Sequence, residues 1–309
     1  MTENVMKLKN AMEQHIVGKG DVIEKTIAAF LAEGHILLED VPGVGKTSLA
    51  KALADSLSLS FARIQCTPDT TPSDITGVSI YNAKEQSFSV VTGPIVNHIV
   101  LVDELNRTSP KTQSALLEVM AENKVTIDGK AFSVPQPFLV IGTQNPTEQA
   151  GTYPLPESQL DRFMIKLNVG YPSKDASVDL ANRFLNGSLL EETATVLSQE
   201  DILSMRESVK AVSIKENLTA YAVAIVEATR KDAFVSCGAS TRALLSLLRF
   251  AQALAFMDDR NYCIPEDIAK AAALTLPHRL ILTTEARLNK VTKESVMDKI
   301  LKQVICNEA

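Results

Sequence analysis

The chain has no long apolar stretch. Its longest uninterrupted apolar runs are a few residues, as in Ile99-Val100-Leu101-Val102, whereas roughly 20 are needed to cross a bilayer. Membrane insertion is therefore not expected. Cysteine is scarce: Cys66, Cys237, Cys263 and Cys306 stand far apart with no paired spacing. The first residues, "MTENVMKLKNAMEQH", lack an apolar signal core, so a reducing, cytoplasmic setting is expected. Basic charge is in the minority, 31 Lys and Arg against 37 Asp and Glu, and the net charge of −6 gives nucleic acid no general attraction. Internal repeats and low-complexity tracts are missing too.

One further absence is local. A phosphate-binding loop usually reads G-x-x-x-x-G-K-[ST], yet in "LLEDVPGVGKTSLAKALA" the place of the first glycine is held by Asp40. The rest of the loop is intact. Gly43 and Gly45 let the backbone turn tightly, so that amides converge on phosphates at the start of the next helix. Lys46 is placed for the outer phosphates and Thr47 for Mg²⁺. The first glycine position closes the strand before the loop wraps, and Asp tolerates turn conformations there, while Pro42 stiffens the approach.

With 45% hydrophobic residues, 309 positions can bury one large or two moderate domains. From Gly34 to Leu167, strand-like runs alternate with helical patterns, the mark of a mostly parallel sheet flanked by helices. The runs are Ile36–Leu38, Phe61–Ile64, Ile99–Val102, Phe138–Thr143 and Phe163–Leu167. Two segments interrupt them as hairpins, Gly77 to Pro94 and Lys124 to Pro137, the second turning at Asp128-Gly129. After "VGYPS" the pattern becomes long and amphipathic. A boundary is expected there, with an α/β body over 1–172 and an all-helical second domain over 173–309. One helix of the latter starts at Ser240, which can cap it, and another at Pro265-Glu266-Asp267.

A second chemical motif lies fifty-odd residues beyond the loop. "HIVLVDELN" is an apolar strand ending in acids, which puts Asp103 beside the loop as a Mg²⁺ carboxylate and Glu104 where it can polarise a water against the γ-phosphate. "FLVIGTQNP" delivers Thr143 and Asn145 to the same edge, and an amide there can orient the water.

These stretches, with "LVDELNRTSPKTQSALLEVMAE", "IGTQNPTEQAGTYPLPESQLDRF" and "GASTRALLSLLRFAQALA", resemble the MoxR group of AAA+ ATPases, in order and over nearly the whole chain. The resemblance implies an ATPase that hydrolyses Mg²⁺-ATP. Its fold is a P-loop core with a parallel five-stranded sheet, two β-hairpin inserts and a C-terminal all-α lid. In this resemblance Pro42, Gly43, Val44, Gly45, Lys46, Thr47 and Ser48 form the nucleotide loop. Thr47 and Asp103 hold the metal, Glu104 is the catalytic carboxylate that polarises the water and Asn145 the first sensor. Ile16-Val17-Gly18 flanks the adenine. Arg162 corresponds to a finger reaching a neighbouring subunit's ATP, with a salt bridge to Asp161 or Glu157 as its purely structural alternative. Arg107 is a second candidate for that role. Arg242 corresponds to a second sensor, reaching the γ-phosphate of its own subunit.

The resemblance further implies a homo-oligomeric, hexameric ring that remodels or matures protein complexes. The client is a protein, with von Willebrand factor A domain proteins among the partners of such ATPases. A nucleic-acid motor or loader of the same clade is the alternative, with Lys124 and Lys130 giving one hairpin positive charge. A small-molecule kinase leaves Glu104 and Arg162 together without a reason.

Overall fold

The computed structural model describes residues 1–41, 43–84, 86–145, 151–187 and 193–306. In chain order, helices α1 (Glu3–His15) and α2 (Gly20–Leu31) lead into β1 (His35–Glu39), and the nucleotide loop opens α3 (Lys46–Ser56). Next come β2 (Phe61–Gln65), α4 (Pro72–Thr76) and the first hairpin, β3 (Gly77–Asn82) with β4 (Ser87–Thr92). Strand β5 (Ile99–Asp103), α5 (Pro110–Glu122) and the second hairpin, β6 (Lys124–Ile127) with β7 (Lys130–Ser133), follow. The sheet is completed by β8 (Leu139–Gln144) and, after α6 (Glu157–Leu160), by β9 (Phe163–Leu167). The remainder is α7 (Lys174–Leu185), α8 (Gln199–Ala211), α9 (Glu216–Lys231), β10 (Val235–Cys237), α10 (Thr241–Met257), α11 (Pro265–Thr275), β11 (Ile281–Leu282), α12 (Thr284–Leu288) and α13 (Lys293–Gln303).

The five-stranded sheet runs β2-β5-β8-β1-β9, and each neighbouring pair is parallel. Inner strands covered on both faces read as unbroken apolar runs, and β1, β5 and β8 are buried to within a residue of their ends. Successive side chains then feed two cores. Ile36, Leu38, Ile99, Leu101, Ile141 and Ile165 join one, shared with α1, α2 and the helical region. Leu37, Val100, Val102, Val140 and Phe163 join the other, under α5.

The second region is helical, with one addition to the all-helix expectation. Val235–Cys237 and Ile281–Leu282 pair as a two-stranded antiparallel ribbon, too short to give a periodic signal. This region packs against the body through α10 on α2. Arg206 caps the end of α2: its Nε and Nη2 donate to Phe30 O at 3.2 and 2.8 Å, beneath the Phe30 ring. Both expected hairpins form. Asp128 and Gly129 adopt φ +46° and +78°, the positive pair a tight two-residue turn requires. At the base of the other, a Cβ on Gly77 would lie 2.3 Å from Val91 O, so only glycine fits.

Candidate active site

Parallel strands deliver their carboxyl ends to one edge, and the register aligns Gln65 with Asp103 and Leu38 with Thr143. A cavity of about 430 Å³ opens there, lined by Gly43, Gly45, Lys46, Thr47, Ser48, Arg63, Gln65, Asp103, Glu104 and Asn145. Residues far apart in sequence thus meet where the motifs placed them. An adjoining cavity of about 360 Å³ shares Gly43, Gly45 and Ser48 and is walled by Ile16, Val17, Val44, Leu180 and Thr193. It is more apolar, as a nucleobase pocket needs to be. Gly18 is not part of that wall. It has φ +74° and its absent side chain lets α7 approach, since a Cβ would meet Ala176 Cβ at 2.8 Å. Pro42 lies outside the described residues.

The loop's geometry explains its missing glycine. Gly43 and Gly45 have φ +82° and +94°, which a side chain would strain, whereas Asp40 is outside the left-handed region and needs no glycine. Its carboxylate accepts hydrogen bonds from the amides of Val41 and Gly170, pinning the start of the loop to the chain beyond β9. Lys46 Nζ donates to Asp40 O at 2.9 Å and so already lies across the loop.

Adjacent residues of a strand point to opposite faces, so Asp103 and Glu104 could not both face the cavity if β5 continued. Glu104 instead adopts φ +57°, a left-handed turn that brings both carboxylates in. Thr143 holds the turn: its hydroxyl donates to Asp103 Oδ1 at 2.6 Å and accepts from Glu104 N at 2.9 Å. Asp103 Oδ2 is 2.5 Å from Arg63 Nη2. Glu104 Oε2 accepts from Gln65 Nε2 at 3.2 Å and from Arg107 Nη1 at 3.0 Å. Arg107 therefore sits against the Glu104 of its own chain. Arg63 and Gln65 were not anticipated from sequence. Their signal was the position of β2 beside the acidic strand, with its last residues level with Asp103. Asn145 is 5% exposed and lines the same cavity.

The oxygen donors suit a hard cation. Mg²⁺ takes one or two carboxylates and the substrate's phosphates, and Asp103 with the Thr47 hydroxyl meets that need. Among the described residues there is no group of three or more His, Cys, Asp and Glu that could hold a metal ion.

Arg162 and Arg242 lie elsewhere. Both line a cavity of about 220 Å³ with Glu33, His35, Met120 and Asp161, at the strands' amino ends. Strand β1 separates it from the nucleotide loop, and its 5 residues span about 16 Å. Arg162 Nη1 donates to Leu117 O at 2.6 Å, and Arg242 Nη1 is 3.8 Å from Asp161 Oδ2. The start of α10, and with it Arg242, is thus docked at the edge opposite its own chain's nucleotide loop. Burial keeps two histidines neutral here. It lowers His35 to about 4 while its Nδ1 accepts from Val140 N, and it lowers His278 to about 3, with Arg279 adding to the effect.

Two family descriptions match the chain, "ATPase family associated with various cellular activities (AAA)" over residues 35–165 and "AAA lid domain" over 227–300. The uncharacterized protein YeaC of Bacillus subtilis is 46% identical over 306 residues, covering 98% of this chain and 96% of its own. The protein named Chaperone MoxR1 of Mycobacterium tuberculosis is 41% identical over 298 residues, covering 94% and 78%. A crystal structure of a Cytophaga hutchinsonii protein superposes with a TM-score of 0.92 at 38% identity, covering 99% and 95%. No helix among the described residues is long and apolar enough to cross a membrane.

Proposed function

The chain belongs to the MoxR family of AAA+ ATPases and is an ATP hydrolase, and we propose that it works as a chaperone-like ring whose catalytic sites are shared between neighbouring copies. In this reading residues 1–172 form the ATPase body and 173–309 the lid. The observation that carries it is the separation of the two cavities. The nucleotide loop, both carboxylates and Asn145 stand at one edge of the sheet, and Arg162 and Arg242 at the other, beyond reach of the same phosphate. A second copy placed head to tail brings one edge against the other, and repetition by rotation closes a ring, here a hexamer.

Each side chain then has a role. The loop amides and Lys46 hold the phosphates, and Ile16 and Val17 lie against the base. Thr47 and Asp103 hold Mg²⁺, which offsets phosphate charge when bound. Glu104 accepts a proton from a water that Asn145 orients. The water oxygen bonds to the γ-phosphorus, the bond to the β–γ bridging oxygen breaks, and ADP leaves with that electron pair. In this chain Glu104 is held by Gln65 and Arg107, so it must be freed to face the water. Arg162 and Arg242 of the adjacent copy meet the charge developing on the transferred group.

A protein client is favoured over nucleic acid. The β3–β4 hairpin exposes Val78, Ile80, Tyr81, Phe88 and Val91, an apolar surface of the kind that binds polypeptide. Partners with von Willebrand factor A domains fit the same role. Sedimentation of the Glu104→Gln protein tests the assembly: ATP should convert it to a hexamer, and a monomer at saturating ATP contradicts the reading. ATPase rates measured at physiological salt with and without single- and double-stranded DNA test the client class. Rates are expected to stay level, and strong stimulation would transfer the chain to the nucleic-acid motors.

A further inference from the structure

The carboxylate next to the proposed finger is where the helical region grips the sheet. Ser240 Oγ donates to Asp161, lying 3.1 Å from Oδ1 and 3.0 Å from Oδ2, while accepting from Ala243 N at 3.0 Å as the cap of α10. Arg279 Nε is 3.2 Å from Oδ1, and Arg242 Nη1 is 3.8 Å from Oδ2. An anion at the amino end of α10 also faces the favourable end of the helix dipole. Arg279 does more than pair. With a side chain only 2% exposed, its Nη2 donates to Asp161 O at 3.2 Å and to Phe163 O at 2.9 Å, the carbonyls on either side of Arg162.

We propose that Asp161 is a positioning residue for the arginine pair: it ties α10, and so Arg242, to the backbone segment that carries Arg162, presenting both guanidiniums together. The proposal rests on the reading that these arginines serve a neighbour's nucleotide. A lid movement transmitted through Ser240 and Arg279 then shifts Arg162 as well, so the state of one chain's lid is felt at the next chain's ATP. Asp161 itself touches no substrate.

The test is Asp161→Asn, which keeps the shape and an acceptor for Ser240 but removes the charge. Its affinity for a nonhydrolysable ATP analogue should match the wild type, because its own nucleotide cavity is intact. Its turnover should fall on the order of 10- to 100-fold, the cost of a small misplacement. Mixing with Lys46→Ala chains, which keep Asp161 and both arginines, should restore turnover. Full activity of Asp161→Asn beside an inactive Arg162→Ala overturns this proposal alone. Full activity of Arg162→Ala overturns the reading beneath it. Loss in Asp161→Asn that mixing cannot rescue, when it rescues Arg162→Ala, marks general damage to the chain and overturns the positioning role. Should Asp161→Asn not fold, Ser240→Gly decides, since glycine still caps α10 but cannot donate to Asp161. A smaller, rescuable loss supports the proposal and unchanged turnover overturns it.

Discussion

The two edges of the sheet differ in what they offer a nucleotide. At the carboxyl edge, glycine amides, Lys46, the hydroxyls of Thr47 and Ser48, the carboxylates of Asp103 and Glu104 and the amides of Gln65 and Asn145 line one cavity, and the nearby Arg63 and Arg107 are engaged by Asp103 and Glu104. At the amino edge stand Arg162 and Arg242, with buried Arg279 and two neutral histidines behind them. On the proposed reading one edge binds and polarises, and the other supplies the guanidiniums of Arg162 and Arg242. On the proposed reading, neither edge is an active site until copies meet, and an isolated chain hydrolyses slowly.

The largest expected effect separates the edges outright. Lys46→Ala should abolish nucleotide binding, measured calorimetrically, while leaving the amino edge able to serve another copy. Arg162→Ala should do the reverse, binding nucleotide as the wild type does while turnover falls about 10³- to 10⁵-fold, the usual value of a supplied arginine. Reduced binding in Arg162→Ala would blur the distinction.

The edges also differ in how far sequence reveals them. The carboxyl edge is written in contiguous motifs, because a strand end and the turn after it place their own side chains. Gly43 to Thr47 and Asp103-Glu104 are legible for that reason, and so are the sheet strands that carry them. Arg63 and Gln65 escaped notice because their role depends on the pairing of β2 with β5, which no local pattern states. The amino edge is assembled from Glu33 to His35, the end of α5, Asp161-Arg162 and the start of α10. Where Arg242 comes to rest depends on how α10 packs against α2, and a motif read along the chain gives its identity without its destination. The ribbon of β10 and β11 was hidden by its brevity.

A smaller effect is confined to the amino edge. His35 and His278 titrate at about 4 and about 3 in the folded chain, against 6.5 in the unfolded state. Their folded values are depressed, so above pH 6.5 the unfolded chain takes up no extra protons and stability is full. Below it the unfolded chain binds protons the folded one refuses, and stability falls toward pH 4 by up to about 1.4 kcal/mol per pH unit for each histidine. Denaturant midpoints between pH 7 and 5 should follow that slope, and His35→Asn should flatten it. The smallest effect returns to the nucleotide loop. Asp40→Gly restores the usual residue but loses acceptors for Val41 N and Gly170 N, so stability should drop by about 1–2 kcal/mol with nucleotide affinity nearly unchanged.

The shared site is tested most directly by mixing two inactive proteins, Arg162→Ala and Lys46→Ala, across a range of ratios and following phosphate release. Turnover should appear in the mixtures and peak between the pure extremes, where an intact nucleotide cavity meets an intact arginine edge. Mixtures as inactive as their components at every ratio would contradict it.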